Sequence, residues 1–268
     1  MNPRLERGRR ILSEQPFSVL VGTQMISLEE GSAVLELPLK PALMQQYGFA
    51  HGGVVAYLAD NALTFADALR GIGSNERAIE VLSEIMVIHP REPRILMPLG
   101  RAFAANGNPL GAARAFEEVA AIEPGRAEAW AALGTALDQL ENHKNAQTAY
   151  DRALAIEPQR ASTLANYGLS LALSGDLAGA EAKLRQATDL SPNDVRIREN
   201  LALILGLQGR FDEMQETSAG YAPDKVVEQN VEVLKEMIQQ SPGEKAVRSQ
   251  IAGQTAAADA SEPAPPAE

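Results

Sequence analysis

The segment Ala127-Glu128-Ala129-Trp130-Ala131-Ala132-Leu133-Gly134-Thr135-Ala136-Leu137, followed by Ala146, Tyr150 and Pro158, returns in altered form up and down the chain. In rows of 34 residues starting at Ala59, Pro93, Ala127, Ala161 and Val195, column 32 reads Pro90, Pro124, Pro158 and Pro192. Column 20 reads Ala78, Ala112, Ala146 and Ala180, and column 8 reads Ala66, Gly100, Gly134, Gly168 and Ala202. Column 7 holds Phe65, Leu99, Leu133, Tyr167 and Leu201, while column 24 holds Leu82, Phe116, Tyr150 and Leu184. Each column has a physical reason. Small residues at columns 8 and 20 allow two helices to cross closely, and large apolar residues at columns 4, 7, 11 and 24 fill the space around the crossing. Proline at column 32 ends the second helix, because it lacks a donor and clashes with the preceding turn.

The pattern resembles that of tetratricopeptide repeats over four consecutive rows without a gap. The resemblance implies a mostly α chain: a superhelix of helix pairs spanning residues 59–240, with a groove for a protein or peptide partner. The fifth row keeps its first helix through Gly206 and degenerates after Phe211. Asp224 to Gln240 then reads as one amphipathic helix, with Val227, Val231, Leu234 and Ile238 on one side, suited to capping the stack. Residues 241–268 are rich in proline, alanine and acidic side chains and are expected to be disordered.

Composition narrows the function. The 268 residues are 45% apolar but only 4% aromatic, which favours helices packed through small side chains. A net charge of −11 argues against nucleic acid, since phosphate neutralisation needs a basic face. Cysteine is absent, so disulfides, thiolate metal sites and a cysteine nucleophile are excluded, and no metal or cofactor is expected. Four arginines occupy the first ten residues, but Ile11-Leu12 is cut off at once by Ser13-Glu14-Gln15-Pro16. No run reaches the ~20 apolar residues of a membrane helix. As written, the chain is expected in the cytoplasm.

Within the repeat frame, columns 2, 5, 6, 9, 12 and 13 point into the groove. They supply Arg94, Met97, Arg101, Glu128, Thr135, Asp138, Asn166, Leu169, Arg196, Asn200 and Leu203. Asn166 and Asn200, both at column 6, have the donor and acceptor needed to hold an extended main chain. They are equally able to satisfy neighbouring helix ends. Arg94, Arg101 and Arg196 suit a carboxylate, or stand as solvated charges. His89 and His143, at a helix end and an interhelix turn, read as solvent-facing.

The run Asn166-Tyr167-Gly168-Leu169-Ser170-Leu171-Ala172-Leu173-Ser174-Gly175-Asp176 resembles repeat proteins of the tight-adherence (Tad, or Flp) pilus assembly system. So do Arg198-Glu199-Asn200-Leu201-Ala202-Leu203 and Val227-Glu228-Gln229-Asn230, and the likeness covers about residues 67–240. It implies an assembly factor for a pilus or secretion apparatus, contacting other assembly components. That family's members are usually outer-membrane lipoproteins, which points to the periplasm or outer membrane, whereas this sequence shows no signal peptide or lipidated cysteine.

Residues 1–58 follow different rules. Leu5 to Glu14 suits a short helix. Ala33, Leu35, Leu37 and Leu39 alternate with Val34, Glu36, Pro38 and Lys40, the period of a strand, and Glu30-Gly31 suits a turn from an earlier strand around Val19 to Leu28. The segment Gly48-Phe49-Ala50-His51-Gly52-Gly53-Val54-Val55-Ala56-Tyr57-Leu58-Ala59-Asp60 is similar to hotdog-fold acyl-CoA thioesterases of the phenylacetate-degradation type, over about residues 17–66. That likeness implies a Gly53 amide polarising the thioester carbonyl and His51 in the glycine-rich turn. It makes Asp60 the base or nucleophile and Gln45, where asparagine is usual, a water-orienting residue. The strands that follow the central helix of that fold are missing here, since repeat columns begin by Asp67. The expectation is a partial hotdog segment that does not catalyse and lays the apolar face of Leu35, Leu37 and Leu39 against the first repeat or against another copy of itself. A working thioesterase with a repeat tail is the alternative.

Overall fold

The computed structural model describes residues 23–29, 32–38, 73–88 and 90–240, with scattered positions between 6 and 71. Gln45, His51, Gly53 and His89, the tail 241–268 and much of the N-terminal segment lie outside the described residues. The chain divides into two compact units, Met1–Asn106 and Gly107–Glu268.

In the first unit, strands β1 (Gln24–Glu29) and β2 (Ser32–Glu36) pair antiparallel, with Gln24 opposite Glu36 and Glu29 opposite Ser32. The register slips between Met25 and Ser27. β2 stops at Glu36, short of the expected Leu39, because Pro38 has no amide to give a ladder. Positions 6, 9, 10, 13 and 14 are helical, in keeping with the short helix expected there. Helical positions from 60 to 71 precede α1 (Asn75–Ile88) and α2 (Pro93–Ala105). Ala66, Leu69, Ala78, Leu82, Ile95, Leu99 and Ala102 form this unit's helical core, each no more than 2% exposed.

The second unit is helical throughout its described length: α3 (Pro109–Ile122), α4 (Ala127–Gln139), α5 (His143–Ile156), α6 (Ala161–Leu173), α7 (Leu177–Leu190), α8 (Val195–Leu207), α9 (Phe211–Ser218) and α10 (Asp224–Gln240). The period is kept to the residue. α2, α4, α6 and α8 each fill columns 1–13, and α1, α3, α5 and α7 each fill columns 17–30. The second helices end two residues before proline. Glu123, Glu157 and Ser191, the residues just before it, have ψ of 72°, 83° and 68°, outside the helical region, as the proline ring demands.

The short turn inside each row is equally regular. Its column 15 is left-handed in every row: φ is 79° at Gly73, 70° at Gly107, 57° at Glu141, 92° at Gly175 and 78° at Gly209. A left-handed residue there lets the chain reverse while capping the first helix. The amides of Asn142, Asp176 and Arg210 each donate to the carbonyl five residues back (Leu137, Leu171, Leu205) at 2.9 Å. Four of the five rows use glycine for this turn, and row three uses Glu141.

Column 20 alanine is fully buried in rows one to four, and the column 24 residue is at most 3% exposed. Gly134 lies against the Tyr150 ring: a Cβ there would meet Cε1 at 2.6 Å. At Gly168 it would meet Leu184 Cγ at 2.8 Å and the Ala180 carbonyl oxygen at 3.1 Å. In rows three and four the small columns therefore mark the helix crossing, as their spacing predicts. In row five Met214 stands where the other rows have alanine, and a Cβ on Gly206 would meet Met214 Sδ and Leu234 Cδ1, both at 2.7 Å. The predicted amphipathic helix is present as α10, with Val227, Val231 and Leu234 buried. Val231 and Leu234 join the core that α6, α7 and α8 build with Leu164, Leu184, Leu201 and Ile204. No described helix is long and apolar enough to cross a membrane.

Candidate interaction site

The first helices of the rows carry the candidate groove positions, and their environments differ by unit. In the first unit Asp60 and Arg94, both at column 2, form an ion pair at 2.7 Å with both side chains more than half exposed. Asp60 is thereby engaged with Arg94, whereas the thioesterase resemblance casts it as a catalytic carboxylate. Thr64 caps the same turn by donating to the Asp60 carbonyl at 3.0 Å. Arg101 is half-buried and has a partner. Met97, expected in the groove, is 2% exposed and belongs to the packing instead.

In the second unit a polar network ties rows three and four together. Asp138 Oδ1 accepts from Ser170 Oγ at 2.7 Å and meets His143 Nδ1 at 2.9 Å. The Tyr150 hydroxyl reaches Asp138 Oδ2 at 3.0 Å and Thr135 Oγ1 at 3.4 Å, so its single proton is best given to the carboxylate. Asn166 donates its amide to Thr135 Oγ1 at 3.4 Å. Gln147 braces the α6 end by donating to Ser174 Oγ at 2.9 Å. Burial pushes the Asp138 carboxyl above its ordinary value, although hydrogen bonds from His143, Ser170 and Tyr150 pull the other way. His143 is a correction to the sequence reading: its side chain is only 12% exposed, and it faces Asp138 rather than solvent.

The remaining positions divide cleanly. Asn200 is half-buried, and its side chain has no hydrogen bond among the described residues. Arg196 is exposed, 4.0 Å from Asp194. Glu128 lies 3.3 Å from Arg126. Leu169 and Leu203, also expected to line the groove, are 8% and 5% exposed and belong to the hydrophobic core of the unit. Column 9 points inward when it carries leucine and joins the polar network when it carries Thr135. Ser170 was missed by the sequence reading, because it is polar in row four alone and has no periodic counterpart. Among the described residues no three His, Asp or Glu side chains converge as they would on a metal ion.

Helix pairs in exact register, small residues at the crossing and a helix capping the last row define the class. Models of the tetratricopeptide repeat match residues 63–127 and 168–213 in one version and 103–166 in another. Together they run over more than half of the chain, which belongs to the tetratricopeptide-repeat proteins. Among solved structures it is similar to MamA from Desulfovibrio magneticus RS-1, with 20% identity and a TM-score of 0.54, covering 66% of this chain and 95% of that one. TTC0263, a thermophilic TPR protein of Thermus thermophilus, gives 22% identity and a TM-score of 0.53, over 73% of this chain and 98% of the other. YrrB, described as a TPR protein with an unusual peptide-binding site, gives 19% and 0.52, over 64% and 90%. At these identities the likeness concerns the fold. No curated protein matches the chain in sequence.

Proposed function

We propose that this repeat protein is a scaffold that grips an extended segment of a partner protein along the first helices of rows three to five. The observation that carries the reading is the pair of column 6 asparagines. Asn166 gives one amide hydrogen to Thr135, leaving its oxygen and second hydrogen open, and Asn200 is uncommitted among the described residues. Two such groups one repeat apart suit the main chain of an extended peptide, which offers donors and acceptors regardless of its side chains. The peptide-binding site named for YrrB supports the same use of this fold. The finer reading is service as an assembly factor for a Tad/Flp-type pilus or secretion apparatus, and it rests on the run from Asn166 to Asp176 and its companions. Affinity capture with the full chain, repeated with Asn166→Ala/Asn200→Ala, tests both levels. The double variant should keep its melting temperature and lose most of the captured partner, and pilus-assembly components should be prominent in what the wild type retains. Undiminished capture by the double variant would remove the site from this face. Capture that depends on the asparagines but yields no such components would overturn the pilus reading alone.

A further inference from the structure

Asp138 is a carboxylate on the groove side of the repeat frame, held by Ser170, His143 and Tyr150. Its Oδ1 is occupied twice, by Ser170 and His143, but its Oδ2 receives only Tyr150. A carboxylate offers roughly four acceptor positions, two on each oxygen, so one on Oδ2 is open. Among the described residues no lysine or arginine pairs with it. Its side chain is 13% exposed, so it is largely removed from water yet still reachable. A carboxylate in that position loses hydration without gaining a lysine or arginine partner among the described residues, and a cationic ligand at Oδ2 would supply one. Asn166 stands beside it, sharing Thr135 with the Tyr150 hydroxyl. The chain's net charge of −11 adds a field that draws cations rather than anions.

We infer that Asp138, framed by Tyr150, Ser170 and Asn166, is a specificity pocket for a lysine or arginine side chain of the bound segment. The inference rests on the groove reading above. Asn166 holds the ligand's main chain while Asp138 Oδ2 accepts a hydrogen bond from the ammonium or guanidinium, so the pocket selects a basic residue at one position of the peptide.

An array of random short peptides, probed with the full chain, provides the test. Retained peptides should be enriched in lysine or arginine at one position. Exchanging that arginine for citrulline in the strongest binder should lower affinity on the wild-type protein about tenfold, the cost typical of losing a charge-assisted hydrogen bond. Asp138→Asn should abolish the preference while still retaining neutral peptides. Glu117→Gln, an equal loss of charge at an exposed carboxylate on the second helix of row two, away from the groove columns, should leave it intact. Retention without a basic preference, an ineffective citrulline exchange, or equal effects of the two charge-removing variants would overturn the pocket and leave the groove reading standing. Peptide retention indifferent to Asn166→Ala/Asn200→Ala would overturn the groove reading and the pocket with it. The citrulline comparison needs no variant protein, so it decides the matter even where Asp138→Asn fails to fold.

Discussion

The Asp60 carboxylate meets the Arg94 guanidinium at 2.7 Å, and the two residues stand one full row apart at the same column. An ion pair between equivalent positions of adjacent rows is a direct product of the period: whatever side chains occupy column 2 in rows one and two are brought together. Both are more than half exposed, so solvent screens the attraction. Asp60→Asn should therefore change stability by no more than about 1 kcal/mol, and less at high salt, as read by thermal melting. A larger loss would show that the pair clamps the row.

Gly134 and Gly168 should tolerate almost nothing. Gly134→Leu places its first carbon 2.6 Å from Cε1 of the Tyr150 ring, which is itself 1% exposed and stacked on Tyr167 with centroids 5.8 Å apart. Overpacking of this kind costs about 1–3 kcal/mol and sometimes more. Gly168→Ala is the more telling variant, because one of its contacts is the Ala180 carbonyl oxygen, a backbone atom that cannot swing away. Chemical denaturation of both variants should show a clear loss; an unchanged midpoint would place the helix crossing elsewhere.

Glu141 invites a gain. It holds the left-handed turn at φ 57° that four other rows give to glycine, and that conformation costs an ordinary residue about 1–2 kcal/mol. Glycine relieves the strain but adds freedom to the unfolded chain, so Glu141→Gly should stabilise by about 1 kcal/mol or somewhat less. The same substitution at a helical glutamate such as Glu118 should destabilise, which makes the pair a controlled comparison by thermal melting.

Tyr167 sets an alkaline limit. Burial first, then the charge of Asp151, which accepts its hydroxyl at 3.2 Å, pushes its phenol up to about 12 from an ordinary 10.0. Folding thus favours the protonated form. Its contribution is complete below pH 10.0 and is lost as the pH rises through about 12. Melting temperature should fall across that window in the wild type and fall less steeply in Tyr167→Phe. A residual slope is expected from Tyr221, whose burial also raises its phenol. Identical slopes would mean that Tyr167 ionises without cost to the fold.

The helices were legible because their punctuation recurs. Proline at column 32 and small residues at columns 8 and 20 act through backbone sterics, which need no knowledge of distant neighbours. The column 15 turn was just as periodic, but Glu141 broke the glycine series and hid it. The groove was less legible. Met97, Leu169 and Leu203 share columns with polar residues in other rows, and an apolar side chain there turns into the core. The Asp138 network joins residues 32 positions apart through Ser170, a contact set by side-chain reach between rows and invisible to column counting. For the N-terminal segment, alternation revealed the strand pair but not its limits, which Pro38 and the register slip near Met25 decide.

Met214 gives the array an arithmetic. Rows one to four carry the same alanine at column 20, so a recombination that removes or duplicates any one of them rejoins like to like. Row five does not share that interchangeability: its crossing is fitted to Met214 and Leu234 around Gly206. A row appended after it would have to displace Leu234 from its place against Gly206. The chain can therefore change length by whole rows from within while its end remains an end.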